Sequence, residues 1–116
     1  MTEYLKYQTD LSTLASVFDE LTFWSARFGA MLFQHLRLSR GIDILDLGCA
    51  TGFPLFELAN VHGESCRVFG IDPWGDALIH AATKRDGYGI HNVTLIQGDG
   101  LQLPFVASQF DLIVSN

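Results

Sequence analysis

Residues 44 to 52, Ile44-Leu45-Asp46-Leu47-Gly48-Cys49-Ala50-Thr51-Gly52, set an acid inside an apolar run and then small residues at alternate positions. Gly48 takes backbone angles that a side chain forbids, Ala50 keeps the loop nearly bare, and Gly52 allows close approach where a helix starts. A ligand can then lie against the backbone. Twenty residues after Gly52 stands Asp72, ending the apolar run Val68-Phe69-Gly70-Ile71. A carboxylate there offers two acceptor oxygens to a vicinal diol such as a ribose. A third apolar run, Val93 to Gln97, leads into Gly98-Asp99-Gly100-Leu101. Acids at 46, 72 and 99 therefore mark three successive strand ends on one edge, the edge at which open α/β sheets bind ligands. Each segment taken singly also has a plainer reading: a tight turn at 48–52, a solvated turn Asp before Pro73, and an Asp-Gly turn at 99–100.

The elements that must hold these residues alternate. Residues 1–41 read as a helical leader, with Leu11, Leu14, Phe18 and Leu21 at helical spacing and Phe23, Ala26, Ala30 and Phe33 continuing it. Ser39, Arg40 and Gly41 end it. Ile42, Ile44, Leu45 and Leu47 then form a short apolar run, the mark of a strand buried on both faces of a parallel sheet. Pro54 suits the first turn of the next helix, which is expected to reach Val61 and close at His62 and Gly63. A second strand is predicted over Arg67–Ile71, a helix over Asp76–Arg85, a third strand over Val93–Gln97 and a fourth over Phe110–Ser115. With right-handed crossovers this β-α-β-α-β-β order gives an α/β fold, a doubly wound parallel sheet of about four strands in which residues 42–116 are the ligand-binding part.

Composition narrows the partners. At 116 residues the chain supports one modest core, and 48% hydrophobic against 17% charged residues excludes a disordered tail. Thirteen acids against seven bases give a net charge of −6 with no basic run, which disfavours nucleic acid. The first ten residues, MTEYLKYQTD, lack a signal-peptide pattern and no stretch is long and apolar enough to cross a bilayer, so the expected location is the cytoplasm. Cys49 and Cys66 have neither the number nor the spacing of a disulfide framework or zinc site and are read as reduced thiols. His35, His62, His80 and His91 are scattered without a constellation, read as surface or helix-end residues, and given no catalytic role.

The loop at 46–52 resembles the first motif of class I S-adenosylmethionine-dependent methyltransferases, acidic-x-Gly-x-Gly-x-Gly, with Ala50 at the middle glycine. The resemblance covers residues 42–116 and implies S-adenosylmethionine as cofactor. It implies Asp46, Gly48, Ala50 and Gly52 near the methionine part, with Asp46 positioning the amino group, often through water. It further implies Asp72 at ribose and Asp99 at the adenine amino group, with the Gly100 and Leu101 amides toward the ring edge. The leader, with Phe18-Asp19-Glu20 and Phe23-Trp24, is similar to the lid-forming leader of small-molecule methyltransferases, so a small-molecule acceptor is expected. In that reading Phe23 or Trp24 shields the sulfonium and Trp74 lies over the cofactor, with core packing as the other reading of each.

The rival dinucleotide fingerprint needs glycines at i, i+2 and i+5. Counting from Gly48, the last position is Phe53, and Asp46 repels a pyrophosphate, so a nicotinamide oxidoreductase ranks low. An amine or amide N-methyltransferase stays open, because Asn116 stands where such families begin an Asn-Pro-Pro-aromatic loop. A non-catalytic interaction module that keeps the fold is the remaining alternative. The family's sheet has seven strands in the order 3-2-1-4-5-7-6, so the resemblance implies a truncated, inactive front part with order 3-2-1-4. Its fourth strand, carrying Phe110, Leu112, Ile113 and Val114, is then an open edge and a route to a homo-oligomer.

Overall fold

The structure, a computed structural model, describes residues 10–21, 23–37 and 39–116, the side chains of 21–25 excepted. A short helix α1 (Leu11–Val17) passes through a 3-10 turn (Phe18–Leu21) toward α2 (Phe23–His35). Then follow β1 (Asp43–Leu47), α3 (Leu55–His62), β2 (Arg67–Asp72), α4 (Gly75–Gly87), β3 (Val93–Gln97) and β4 (Leu112–Val114). The four strands form one parallel sheet, as the alternating pattern predicts, in the order β3-β2-β1-β4 that the resemblance implies.

The strands form where apolar, β-branched residues meet cover on both faces. Ile44 pairs in register with Val68, and Val68 with Val93; these three pack with Leu55, Leu58, Ala59, Ala81 and Val114 into the main core. Leu45 and Ile71, on the same strands, are also buried, and Phe69, paired with Leu45, joins a three-ring cluster with Phe105 and Phe110 at centroid distances of 4.8 to 6.1 Å. The segment between β3 and β4 therefore brings two aromatic rings onto Phe69, on the side of β2 opposite Val68. At the amino ends, Arg67 makes a two-pronged ion pair with Asp43, whose amide donates to Asp111 Oδ2 and whose carbonyl accepts from the Asp111 amide.

Four expectations shift. The helix after β1 begins at Leu55 rather than around Pro54, because Ala50 and Gly52 hold positive φ values of 45° and 112° and keep 51–54 in turns. The fourth strand is shorter than 110–115, since Phe110 turns into the aromatic cluster and Ser115 Oγ donates to Leu47 O. Its apolar residues do not form one exposed edge: Val114 is buried, Leu112 packs on the core and only Ile113 is largely exposed. In the leader, Ala15 is the residue that α1 buries while Leu11 is exposed, because a small residue allows close packing on α4. The proposed shielding by Phe23 or Trp24 lies outside the described side chains. Among the described residues no helix is long and apolar enough to cross a membrane, and no His, Cys, Asp and Glu group is arranged to hold a metal.

Candidate functional site

Loop 48–52 is folded back over the end of β1 by β2. The Gly48 and Cys49 amides both donate to Ile71 O, at 2.8 and 3.2 Å, and the Gly52 amide donates to Cys49 O. Cys49 is thereby tucked against Gly70, where any side chain would collide with its sulfur. Gly52 is required twice over: its φ is 112°, and a Cβ would run into the Phe56 ring. Ala50 sits in the left-handed region at φ 45°, a conformation that costs a non-glycine residue about 1 kcal/mol or more. The departure from glycine at this position is therefore a strained backbone as well as one extra methyl group.

Beneath this loop is Asp46. Its side chain is wholly buried, and neither carboxylate oxygen has a hydrogen-bond partner. Burial first, and then the neighbouring Asp72 and Glu57 charges, push its pKa up to about 7. A buried carboxylate without partners is costly in its charged form, so the place calls for a cation or for water to reach it. Burial, with the Asp46 and Asp72 charges, pushes the adjacent Cys49 thiol up to about 12. That group is no nucleophile at neutral pH.

Asp72 holds the loop together. Its Oδ2 accepts from the Ala50 amide at 2.9 Å and its Oδ1 from the Trp74 amide at 2.8 Å. The carboxylate that the sequence reading assigns to a diol thus already ties loop 48–52 to the turn after β2, and keeps one further acceptor position on each oxygen. Gly98 donates to Asp72 O, which brings the third strand's turn alongside. Asp99 is exposed and its Oδ1 accepts from the Leu101 amide at 2.9 Å, the geometry of the plain Asp turn. Gly100 beside it is exposed. The fold therefore ties Gly48, Ala50 and Gly52 to β2 and Asp72 by hydrogen bonds, buries Asp46 beside them without a partner, and sets Asp99 and Gly100 at the margin.

Two polar residues from outside the loop, Asp19 and Lys84, join it through Thr51. Asp19, in the leader's 3-10 turn, accepts from the buried Thr51 hydroxyl at 2.6 Å and from Lys84 Nζ at 2.9 and 3.1 Å. Phe18 beside it packs edge-on against Trp74 at 5.2 Å. Trp74 therefore meets the leader, its Nε1 buried without a partner. Asp19, Gly52, Phe53, Phe56, Glu57 and Lys84 line part of a cavity of about 620 Å³ between the leader and α3. No local signal marks Asp19 and Lys84 as partners, because they lie 65 residues apart. Of the histidines, His62 is a helix-end residue as expected, yet it is buried, with Nδ1 2.9 Å from Leu58 O.

A parallel α/β sheet with an acid under a glycine-bearing loop and a second acid ending the next strand defines a nucleoside-binding domain of the doubly wound class. The profile of a family described as a methyltransferase domain matches residues 38–116. The chain belongs to that family. It is 32% identical over 80 residues to a demethylmenaquinone methyltransferase of Geobacillus stearothermophilus, covering 69% of this chain and 34% of that protein. It is 30% identical over 97 residues to a probable cobalt-precorrin-6B C(15)-methyltransferase (decarboxylating) of Saccharolobus solfataricus, covering 82% of this chain and 49% of that protein. The chain thus spans from about a third to a half of these relatives' lengths. Among solved structures, a SAM-dependent methyltransferase from Aquifex aeolicus superposes with a TM-score of 0.72 at 24% identity, over 87% of this chain and 55% of that one, a likeness of fold.

Proposed function

We infer that this domain binds S-adenosylmethionine at the carboxyl ends of its strands, and that the whole protein transfers the cofactor's methyl group to a small-molecule acceptor in the cytoplasm. The observation that carries the reading is the buried, partnerless carboxylate of Asp46 under a loop too bare to hold a ligand by side chains. An anion there favours a ligand with a cationic amino group and opposes a pyrophosphate. Asp72 keeps acceptor positions for a diol, and Asp99 keeps its second oxygen for an exocyclic amine. The Leu101 amide is committed to Asp99, so Gly100 is the donor of that pair for a ring edge.

S-adenosylmethionine supplies a methyl group already activated by the positive sulfur. The chain's task is accordingly to bind, align and exclude water, and a catalytic triad is not required. Residues 42–116 form the cofactor part in this reading and residues 1–41 the leader, whose Asp19 and Phe18 meet the cofactor part at Thr51 and Trp74. The β4 edge, with Ile113 exposed, is the surface offered to a second copy, and light scattering is expected to give a dimer rather than a monodisperse monomer. Calorimetric titration with S-adenosylmethionine and, in parallel, NADH tests the cofactor. Binding of the first alone is expected; binding of NADH alone, or of neither, overturns the reading.

A further inference from the structure

Along α3, Glu57 lines two cavities. The larger, of about 620 Å³, has Phe53, Phe56, Asn60, Lys84 and Tyr88 in its walls, with Asp19 of the leader. The smaller, of about 400 Å³, is lined by Ala30, Phe33 and Val61 and shares Ala26, Phe53 and Glu57 with the first. Close packing fixes the shared wall, because α2 lies directly on Phe53: a side chain at Gly29 would run into that ring. Among the described residues the walls come from the leader, α3, α4 and the turn after it, and none from the ends of β2 or β3. The cavities therefore sit among the helices and meet the cofactor loop only at Gly52 and its neighbour Phe53.

The charges decide what this space would hold. Asp19 and Lys84 satisfy each other, with Lys84 Nζ 2.9 and 3.1 Å from the two Asp19 oxygens. Glu57 takes part in none of the ion pairs among the described residues. Burial raises its pKa, and its own amide and the Lys84 charge, which lower it, do not make up the difference. Two acids against one base leave the larger cavity with an uncompensated negative charge when both are ionised. The aromatic floor also suits a cation, since Lys84 Nζ already lies 5.7 Å from the centre of the Phe56 ring. An anion would have to take Lys84 from Asp19, whereas a cation finds Glu57 without one. The smaller cavity adds the apolar surfaces of Ala30, Phe33 and Val61, so the ligand carries an apolar body next to its charge.

We propose that these cavities form a second small-molecule site, which takes an organic ammonium ion with an apolar body and pairs its charge with Glu57 beside the Phe53 and Phe56 rings. The site does not depend on what the strand edge binds. It gives a role to a carboxylate that neither the sequence motifs nor loop 48–52 uses.

The test titrates phenethylammonium, its neutral analogue phenylethanol and the anion phenylpropionate into the full chain in mildly alkaline buffer, followed by backbone NMR. The ammonium is expected to bind about tenfold tighter than the alcohol, and the carboxylate weakest of the three. Shifts are expected to centre on α3 and on residues 84–90. Glu57→Gln changes one outward-facing group and is expected to remove the preference for ammonium over alcohol while the alcohol still binds. Lys84→Met, which releases Asp19, is expected to strengthen ammonium binding about threefold. An anion site would answer both variants with the opposite sign. Saturating S-adenosylmethionine is expected to leave the ammonium bound. The proposal is overturned by equal affinity for ammonium and alcohol, by a preference that survives Glu57→Gln, by shifts centred on residues 98–101, or by displacement of the ammonium by S-adenosylmethionine. Weaker ammonium binding in a Lys84→Met chain that still melts cooperatively overturns it as well. Failure of S-adenosylmethionine to bind, with the ammonium preference intact, sinks only the cofactor reading.

Discussion

The ends of β1 and β3 each present an acid after an apolar run, yet the two carboxylates live in opposite conditions. Asp46 lies within its strand, points under a loop folded back by Ile71 O, and is sealed without a partner. Asp99 lies two residues beyond its strand, is exposed and already accepts from Leu101. The difference is the path of the chain after the strand. At β1 the small residues let the loop return and cover the acid, while at β3 the chain leaves into solvent. An acid that the fold buries unpaired costs stability in the free protein, and such a cost is what a cationic ligand would relieve.

The largest effect that sharpens this contrast is the pH dependence of Asp46. Its pKa is raised in the folded state, so between about pH 4 and 7 the folded chain holds a proton that the unfolded chain has lost, and stability falls as pH rises through that window. Asp46→Asn removes this loss. In denaturant unfolding its advantage over the unaltered chain is expected to grow by on the order of 4 kcal/mol from pH 4 to 7. A gap that stays constant with pH would break the contrast.

Next comes Asp72, buried like Asp46 but with a hydrogen-bond donor on each oxygen. Asp72→Ala leaves the Ala50 and Trp74 amides without their acceptor and is expected to cost about 3 kcal/mol in thermal unfolding, apart from any loss of ligand affinity. An unaltered melting temperature would mean that loop 48–52 is held by Ile71 O alone.

Asp19 has the opposite sign to Asp46. Burial works to raise its pKa, but the Thr51 hydroxyl and Lys84 together outweigh it and hold the group below the usual range. Its contribution is present above the unfolded pKa and is lost as pH falls through the lower folded value. With the pair half exposed, Asp19→Ala is expected to cost about 1 kcal/mol near neutral pH and less in acid, as read by urea unfolding. The smallest effect belongs to Asp99→Asn, expected within about 0.5 kcal/mol of the unaltered chain by the same measurement.

What the sequence discloses follows the same division. The bounds of β3, the β2 run and the helix after it are legible because buried parallel strands read as continuous apolar runs between turn residues. The loop's strained backbone is legible in Gly48 and Gly52, since few residues tolerate those angles. Asp72's attachment to the loop is not, because a carboxylate facing a diol and one capping amides look alike in sequence. The Asp19, Thr51 and Lys84 cluster and the cavity at Glu57 are invisible for a different reason. They depend on how the leader docks, a packing outcome that joins residues many turns apart in the chain. Likewise the stripe of Leu11, Leu14, Phe18 and Leu21 foretells a helix but not its interruption at Phe18 or its contact through Ala15.

The most direct test of the central claim is calorimetric titration of the unaltered chain and of Asp46→Asn with S-adenosylmethionine at pH 8, where the Asp46 carboxylate is ionised. The variant is expected to be the more stable protein and the weaker binder, with affinity lowered about tenfold or more by the loss of one charge near the cofactor's amino group. Equal affinities in the two proteins would show that the buried acid does not serve the cofactor, and would overturn the assignment of Asp46 to it.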